Sequence, residues 1–251
     1  MPRVDLNCDL GEGAGHDEEL MPLITSASIA CGIHAGDNET MRATVELARR
    51  HGVAVGAHPS LNDREHFGRR ELAVTPAEAH QLVLTQTRLL QIIARQCGVP
   101  VVHVKPHGAL YNLAAREAAL ADAVAAAVRA AGADLILFGL AGSRLIAAGR
   151  KLGLAVANEA FADRTYRADG SLTPRTEAGA MIADARVAVE QARRMLEQGR
   201  VRATDGTEVA IQADTLCLHG DGPQAAGFAT RLHAELKKSG IEFRAPAGIL
   251  S

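Results

Sequence analysis

The chain has 251 residues, 47% of them hydrophobic but only 3% aromatic, no Trp, and a formal net charge of −2 with both signs well mixed. No basic stripe or aromatic stacking platform marks a nucleic-acid surface, and no stretch reaches the ~18 apolar residues of a membrane span. Nucleic acid and membrane are therefore not expected as partners, and a core of Ala, Val, Leu and Ile suits buried parallel strands.

In chain order, strands are expected at about 3–8, 28–33, 53–57, 100–105, 135–139, 154–158 and 214–218. Between them fall helices near 38–51, 76–97, 115–131, 142–152, 177–199 and 224–239. Helix ends are marked by basic residues followed by Gly, as in Arg49-Arg50-His51-Gly52, where Gly takes the left-handed C′ position. Thr75-Pro76-Ala77-Glu78 is a capping box opening a long helix. Long loops are expected at 59–74 and 160–176, and a hairpin over Val201–Ile211 turning at Asp205-Gly206.

Strict β–α alternation predicts a parallel α/β sheet. Periodicity does not separate a closed barrel from an open doubly wound sheet. Seven clear strands, with Ile241–Arg244 an eighth lacking a following helix, favour an irregular seven-stranded parallel (β/α) barrel as one domain over 1–251. Met1-Pro2-Arg3-Val4-Asp5 has no apolar signal region. Cys8, Cys31, Cys97 and Cys217 form no C-x-x-C pair, and a reducing, cytoplasmic location is expected.

The chemistry collects at the strand ends. They read Asn7-Cys8-Asp9, Cys31-Gly32-Ile33-His34, His58-Pro59, Lys105-Pro106-His107, Asn158-Glu159 and His219-Gly220-Asp221, and only Phe138-Gly139-Leu140 is bare. In a parallel barrel all these ends open on one face, where active sites form. Asn7 and Asp9 share a strand face, as do Lys105 and His107. His103 lies deeper on that face and is expected as a hydrogen-bonded core residue.

No metal ligand set is assigned. His103 and His107, side by side in a helix, lie about 13 Å apart along a strand at ~3.3 Å per residue, too far for one ion with ~2.1 Å bonds. A set drawn from Asp9, His34 and His58 on different strands is left open. Gly11-Glu12-Gly13-Ala14-Gly15 lacks the third glycine of a dinucleotide loop, and no Walker sequence occurs. The buried cysteines are expected to be core filling, and His16, His51, His66, His80 and His233 surface residues. Both long loops carry arginines, Arg69 and Arg70 in one and Arg164 and Arg175 in the other, suited to a carboxylate.

At these same residues the chain resembles the family of A-type 5-oxoprolinase subunits, also called LamB/YcsF. The resemblance rests on Asp5-Leu6-Asn7-Cys8-Asp9-Leu10-Gly11-Glu12-Gly13, Ile29-Ala30-Cys31-Gly32-Ile33-His34-Ala35-Gly36-Asp37 and Gly56-Ala57-His58-Pro59. It continues in Phe67-Gly68-Arg69-Arg70, Val104-Lys105-Pro106-His107-Gly108-Ala109-Leu110-Tyr111-Asn112, Glu159-Ala160-Phe161-Ala162-Asp163-Arg164 and Leu218-His219-Gly220-Asp221. It implies a barrel similar to glycoside hydrolase/deacetylase folds and ATP-dependent opening of 5-oxoproline to glutamate. It also implies two partner subunits, with ATP and Mg²⁺ for the complex, and self-association is left open.

The resemblance makes Asp9 or Glu12 the expected general base. His107 and His219 handle protons, and Lys105 stabilises developing negative charge. Asn7, His34, Asp37, His58, Arg69, Tyr111, Glu159, Arg164 and Arg175 are the expected substrate-binding residues. The competing readings are a metal-dependent deacetylase-like amide hydrolase and a non-catalytic subunit.

Overall fold

A computed structural model describes residues 3–218 and 225–246. Seven parallel strands close on themselves. The first six are β1 (Arg3–Leu10), β2 (Ser26–Ala30), β3 (Ala54–His58), β4 (Val101–Val104), β5 (Ile136–Leu140) and β6 (Val156–Phe161). A short antiparallel hairpin follows, β7 (Arg200–Arg202) with β8 (Glu208–Ala210), as its turn residues imply. The seventh barrel strand, β9 (Thr215–Leu218), pairs with β6 on one side and β1 on the other, which closes the barrel. β10 (Glu242–Phe243) extends the sheet only against Arg3 and Val4.

The helices are α1 (Asp17–Leu20), α2 (Asn38–His51), α3 (Pro76–Gln96), α4 (Gly108–Arg116), α5 (Ala118–Ala131), α6 (Arg144–Lys151), α7 (Ala185–Gln198) and α8 (Ala225–Lys238). Thr75 and Glu78 form the expected reciprocal capping box. Gly52 caps α2 in the left-handed region. The outer core lies between strands and helices and is built from small aliphatics, such as Val83, Leu90 and Ala94 of α3 near Leu120, Val124 and Val128 of α5. No helix among the described residues is long and apolar enough to cross a membrane.

Three boundaries differ from the sequence reading, each for a local reason. β2 ends at Ala30, not near 33, because Gly32 turns the chain at φ +82°. The helix expected over 115–131 begins at Ala118 as α5, and a further helix, α4, precedes it, the two broken at Glu117, whose extended backbone interrupts the ladder. α7 begins at Ala185 rather than 177, where Asp184 accepts a hydrogen bond from the Arg186 N–H and caps the first turn.

The barrel interior is polar, unlike the Val, Ile and Leu layers that commonly fill such barrels. β1 alternates: Val4, Leu6 and Cys8 join the outer core, while Asp5, Asn7 and Asp9 share the opposite face. Asp5 and Asn7 are fully buried, as are Ser26, Ser28, His103, Glu159 and Thr215. The register sets Asn7 beside Ser26 and Cys217, Ser28 beside Gly56, and Gly56 beside His103.

Candidate active site

The lowest layer is centred on Asp5, whose carboxylate accepts hydrogen bonds from Thr25, Ser26 and Thr215. Burial outweighs these donors, and its pKa rises to about 6. Above it, Asn7 donates from Nδ2 to Thr215 Oγ1 (2.6 Å) and Glu159 Oε1 (3.0 Å) and accepts at Oδ1 from Lys105 Nζ (2.8 Å). His103 packs on the far side. It stacks on Phe138 at 4.3 Å, with Ser28 Oγ 3.3 Å from Nε2. Gly56 makes room for this ring, because a Cβ there would overlap it. Burial, then the charge of Lys105, lowers the His103 pKa to about 3.

Lys105 sits at the centre of the next layer, 2% exposed. Its Nζ meets Asp9 Oδ1 at 2.5 Å, Asn7 Oδ1 at 2.8 Å and Glu159 Oε1 at 3.0 Å, with Cys217 Sγ at 3.3 Å. Burial alone would neutralise the amine, but the Asp9 and Glu159 carboxylates outweigh it and hold the ammonium charged. An ammonium has three donors, taken by Asn7 Oδ1, Glu159 Oε1 and Cys217 Sγ, while Asp9 Oδ1 forms an ion pair with it. Lys105, the residue expected to receive developing negative charge, is thus held against Asp9, Asn7 and Glu159. Tyr111 is buried against Glu159; burial and then that charge raise its phenol pKa.

The uppermost layer joins Asp9, Glu12, His34, His58 and His107. His58 Nε2 lies 3.2 Å from Asp9 Oδ2 and 2.9 Å from His107 Nδ1. His34 Nε2 lies 3.1 Å from Glu12 Oε1, and the His34 ring stacks on His107 at 3.9 Å. Burial lowers the His34 pKa to about 4. It also pushes His107 well down, reinforced by neighbouring His58 and His34.

Two loops build this layer. Arg64 donates to the carbonyls of Gly32 and Gly36 and pins the turn that carries His34. Phe67, in the left-handed region at φ +56°, presents its carbonyl to His107 Nε2 (2.8 Å) and its ring edge-on to His34 and His107. A Cβ on Gly68 would sit 3.1 Å from both His34 and His107 side chains.

The remaining predicted residues are placed differently. Arg69 is exposed at the rim, its guanidinium 4.8 Å over the Phe67 ring. Asp37 is the N-cap of α2, and its carboxylate accepts hydrogen bonds from Thr40 N and Oγ1. Arg164 is buried and donates to the carbonyls of Ala180 and Thr173, so it ties the loop after β6 together, with Arg175 half-buried nearby. His219 lies outside the described residues. As the strand spacing implies, His103 and His107 do not converge on one point, since the two rings face different neighbours. Asp5, Thr215 and Arg64 escaped the sequence reading. The period-two run Asp5-x-Asn7-x-Asp9 carried a signal for the first; Thr215 and Arg64 had none.

Known proteins fit this geometry. The sequence pattern of the LamB/YcsF family matches residues 4–251. The chain is 56% identical over 253 residues to the A-type 5-oxoprolinase subunit of Methylococcus capsulatus, covering 99% of this chain and 97% of that one. It superposes on the crystal structure of a lactam utilization protein from Thermus thermophilus with a TM-score of 0.90 at 46% identity, covering 97% and 99% of the two chains. A polysaccharide deacetylase of Bacillus cereus shares the fold alone, with a TM-score of 0.50 at 14% identity over 98% of this chain and 92% of that one. With the pattern matched along nearly its whole length and relatives above half identity, the chain belongs to the LamB/YcsF family.

Proposed function

We propose that this chain is one subunit of an ATP-dependent 5-oxoprolinase and supplies the pocket where the lactam of 5-oxoproline is opened to glutamate. The observation that carries this reading is full-length identity above 50% to proteins named as A-type subunits of 5-oxoprolinase, joined to a buried acid–base cluster in the barrel mouth. Asp9 Oδ2 faces the cluster while Oδ1 is held by Lys105. That suits it to accept a proton from an attacking water. On this reading Arg69, at the rim, meets the substrate carboxylate, as a bidentate guanidinium does well.

The donor set does not fit a triphosphate. Asp9 and Glu159 flank a single ammonium, Glu12 lies among the histidines beside it, and like charge repels phosphate. Nucleotide handling therefore belongs, on this reading, to the two partner subunits, and no step here passes through it. The test is glutamate release by the chain co-expressed with those partners. ATP-dependent release, lost when this chain is omitted, supports the reading; release undiminished by its omission overturns it.

A further inference from the structure

We propose that Glu12, His34, His58 and His107 form a binding site for one divalent transition-metal ion of the zinc class. One ligand atom from each, with Glu12 Oε1 facing His34 Nε2, His58 Nε2 and His107 Nδ1, places all four within 4.8 Å of one another. Four of the separations are 3.1 Å (Glu12–His34), 3.9 Å (Glu12–His58), 3.6 Å (Glu12–His107) and 2.9 Å (His58–His107). A tetrahedral shell with ~2.1 Å bonds has edges of about 3.4 Å. These four separations bracket that value; the remaining pairs reach up to 4.8 Å, and the His34 ring, parallel to that of His107 at 3.9 Å, must rotate to bring its lone pair onto the same ion.

Two of the three outer imidazole nitrogens support the same assignment; the third, His34 Nδ1, is buried without a hydrogen-bond partner. His58 Nδ1 lies 2.7 Å from the Lys105 carbonyl and His107 Nε2 lies 2.8 Å from the Phe67 carbonyl. A carbonyl only accepts, so each of these nitrogens carries its hydrogen. In neutral rings, His58 Nε2 and His107 Nδ1 then aim two lone pairs at each other across 2.9 Å. Something positive must lie between or beside them. Imidazoles that ligate metals characteristically donate their other N–H to a backbone carbonyl in this way.

A single proton shared by His58 and His107 would relieve that contact. It would not explain why Glu12 and His34 converge on the same point from two further loops, since a shared proton needs only two nitrogens. Three imidazoles and one carboxylate suit zinc, cobalt, iron or nickel, whereas magnesium and calcium favour oxygen ligands. Asp9 Oδ2, 3.2 Å from His58 Nε2, stands next to the site with its other oxygen engaged by Lys105.

Metal binding does not depend on the hydrolase function, and its test does not use activity. The full chain is stripped with a chelator, dialysed, and titrated with Zn²⁺, and bound metal per folded chain is measured by mass spectrometry. X-ray absorption at the zinc edge identifies the ligands. The expected result is about one ion per chain, bound through nitrogen and oxygen at about 2.0–2.1 Å with imidazole signatures. His58→Ala and Glu12→Gln should each weaken binding at least roughly tenfold, while His51→Ala, on the exposed end of α2, leaves it unchanged.

Circular dichroism of each variant checks the fold, and Glu12→Gln, at the loop edge of the cluster, retains the shape of the site if His58→Ala does not fold. Failure of the folded, stripped wild type to take up zinc in stoichiometric amount would overturn the proposal. So would uptake that neither variant weakens.

Discussion

At the residue scale the site is a stack of buried polar layers. Among the described contacts, Asp9 is the carboxylate that touches both Lys105 and His58. With Asp9 as the proposed proton acceptor, Asp9→Asn keeps the side chain's shape, and turnover of the assembled enzyme should fall by roughly 10²–10⁴. Steady-state kinetics checks this, and a fall under about threefold, far below the range for a general base, would remove Asp9 from that position.

Gly56 tests the packing below. Alanine there collides with the His103 ring, and such overpacking costs about 1–3 kcal/mol. Combining Gly56→Ala with His103→Ala should recover part of that loss in urea denaturation, because the colliding ring is gone. Strict additivity of the two changes would mean that they do not share the space.

Asp5 carries a pH signature. Its folded pKa, about 6, lies above the ordinary value of 3.8, so the folded state holds the proton more tightly. The stabilisation is full below the unfolded value and is lost as pH rises through about 6. Between about pH 5 and pH 7.5 this group should remove roughly 1 kcal/mol of stability, which Asp5→Asn would abolish. Stability–pH curves that run parallel for the two proteins would refute the assignment.

At the scale of elements, the loop between β3 and α3 is the cover of the site and α4 is its anchor. Ala109 N–H donates to the Gly68 carbonyl at 2.9 Å. Gly108, at φ +54°, lies so close that a Cβ would come within 2.5 Å of that oxygen. Gly108→Ala should therefore lift the Phe67–Gly68 turn away from His107. Displacements near ~1 Å can lower turnover by ~10². Faster proteolytic cleavage within 59–75, with the rest of the chain resistant, is the expected physical readout; an unchanged cleavage rate and turnover would show that the loop is held elsewhere.

The anchor was not legible in sequence, because His107-Gly108 reads as the end of a strand followed by a loop. The helix forms because Ala109, Leu110, Leu113 and Ala114 bury one face against the outer core, and burial is a tertiary matter. The capping box at Thr75, by contrast, is local chemistry and was readable residue by residue.

At the scale of the whole molecule, the pocket holds one ammonium against several carboxylates and has no phosphate cradle among the described contacts. A five-membered lactam is an unreactive amide, and bases alone activate its carbonyl weakly. The isolated chain is therefore expected to release no useful amount of glutamate from 5-oxoproline, even with ATP and Mg²⁺. Turnover by the purified chain alone, at the rate of the assembled enzyme, would place a nucleotide site on this chain.

What the sequence determined by itself was the order of elements and the face on which the chemistry lies. Alternating strands and helices, glycine-ended helices and polar residues after six strands follow from local periodicity and from the rule that parallel strand ends open together. Those signals reside in neighbouring residues and survive without knowledge of the fold. Closure through the β9–β1 pairing, the polar barrel interior, and the engagement of all three Lys105 donors were decided only in three dimensions. The same holds for the meeting of Glu12, His34, His58 and His107 from four separate strand ends. Each depends on distances between residues far apart in the chain, and those distances are set by barrel register and side-chain packing, which no local pattern encodes.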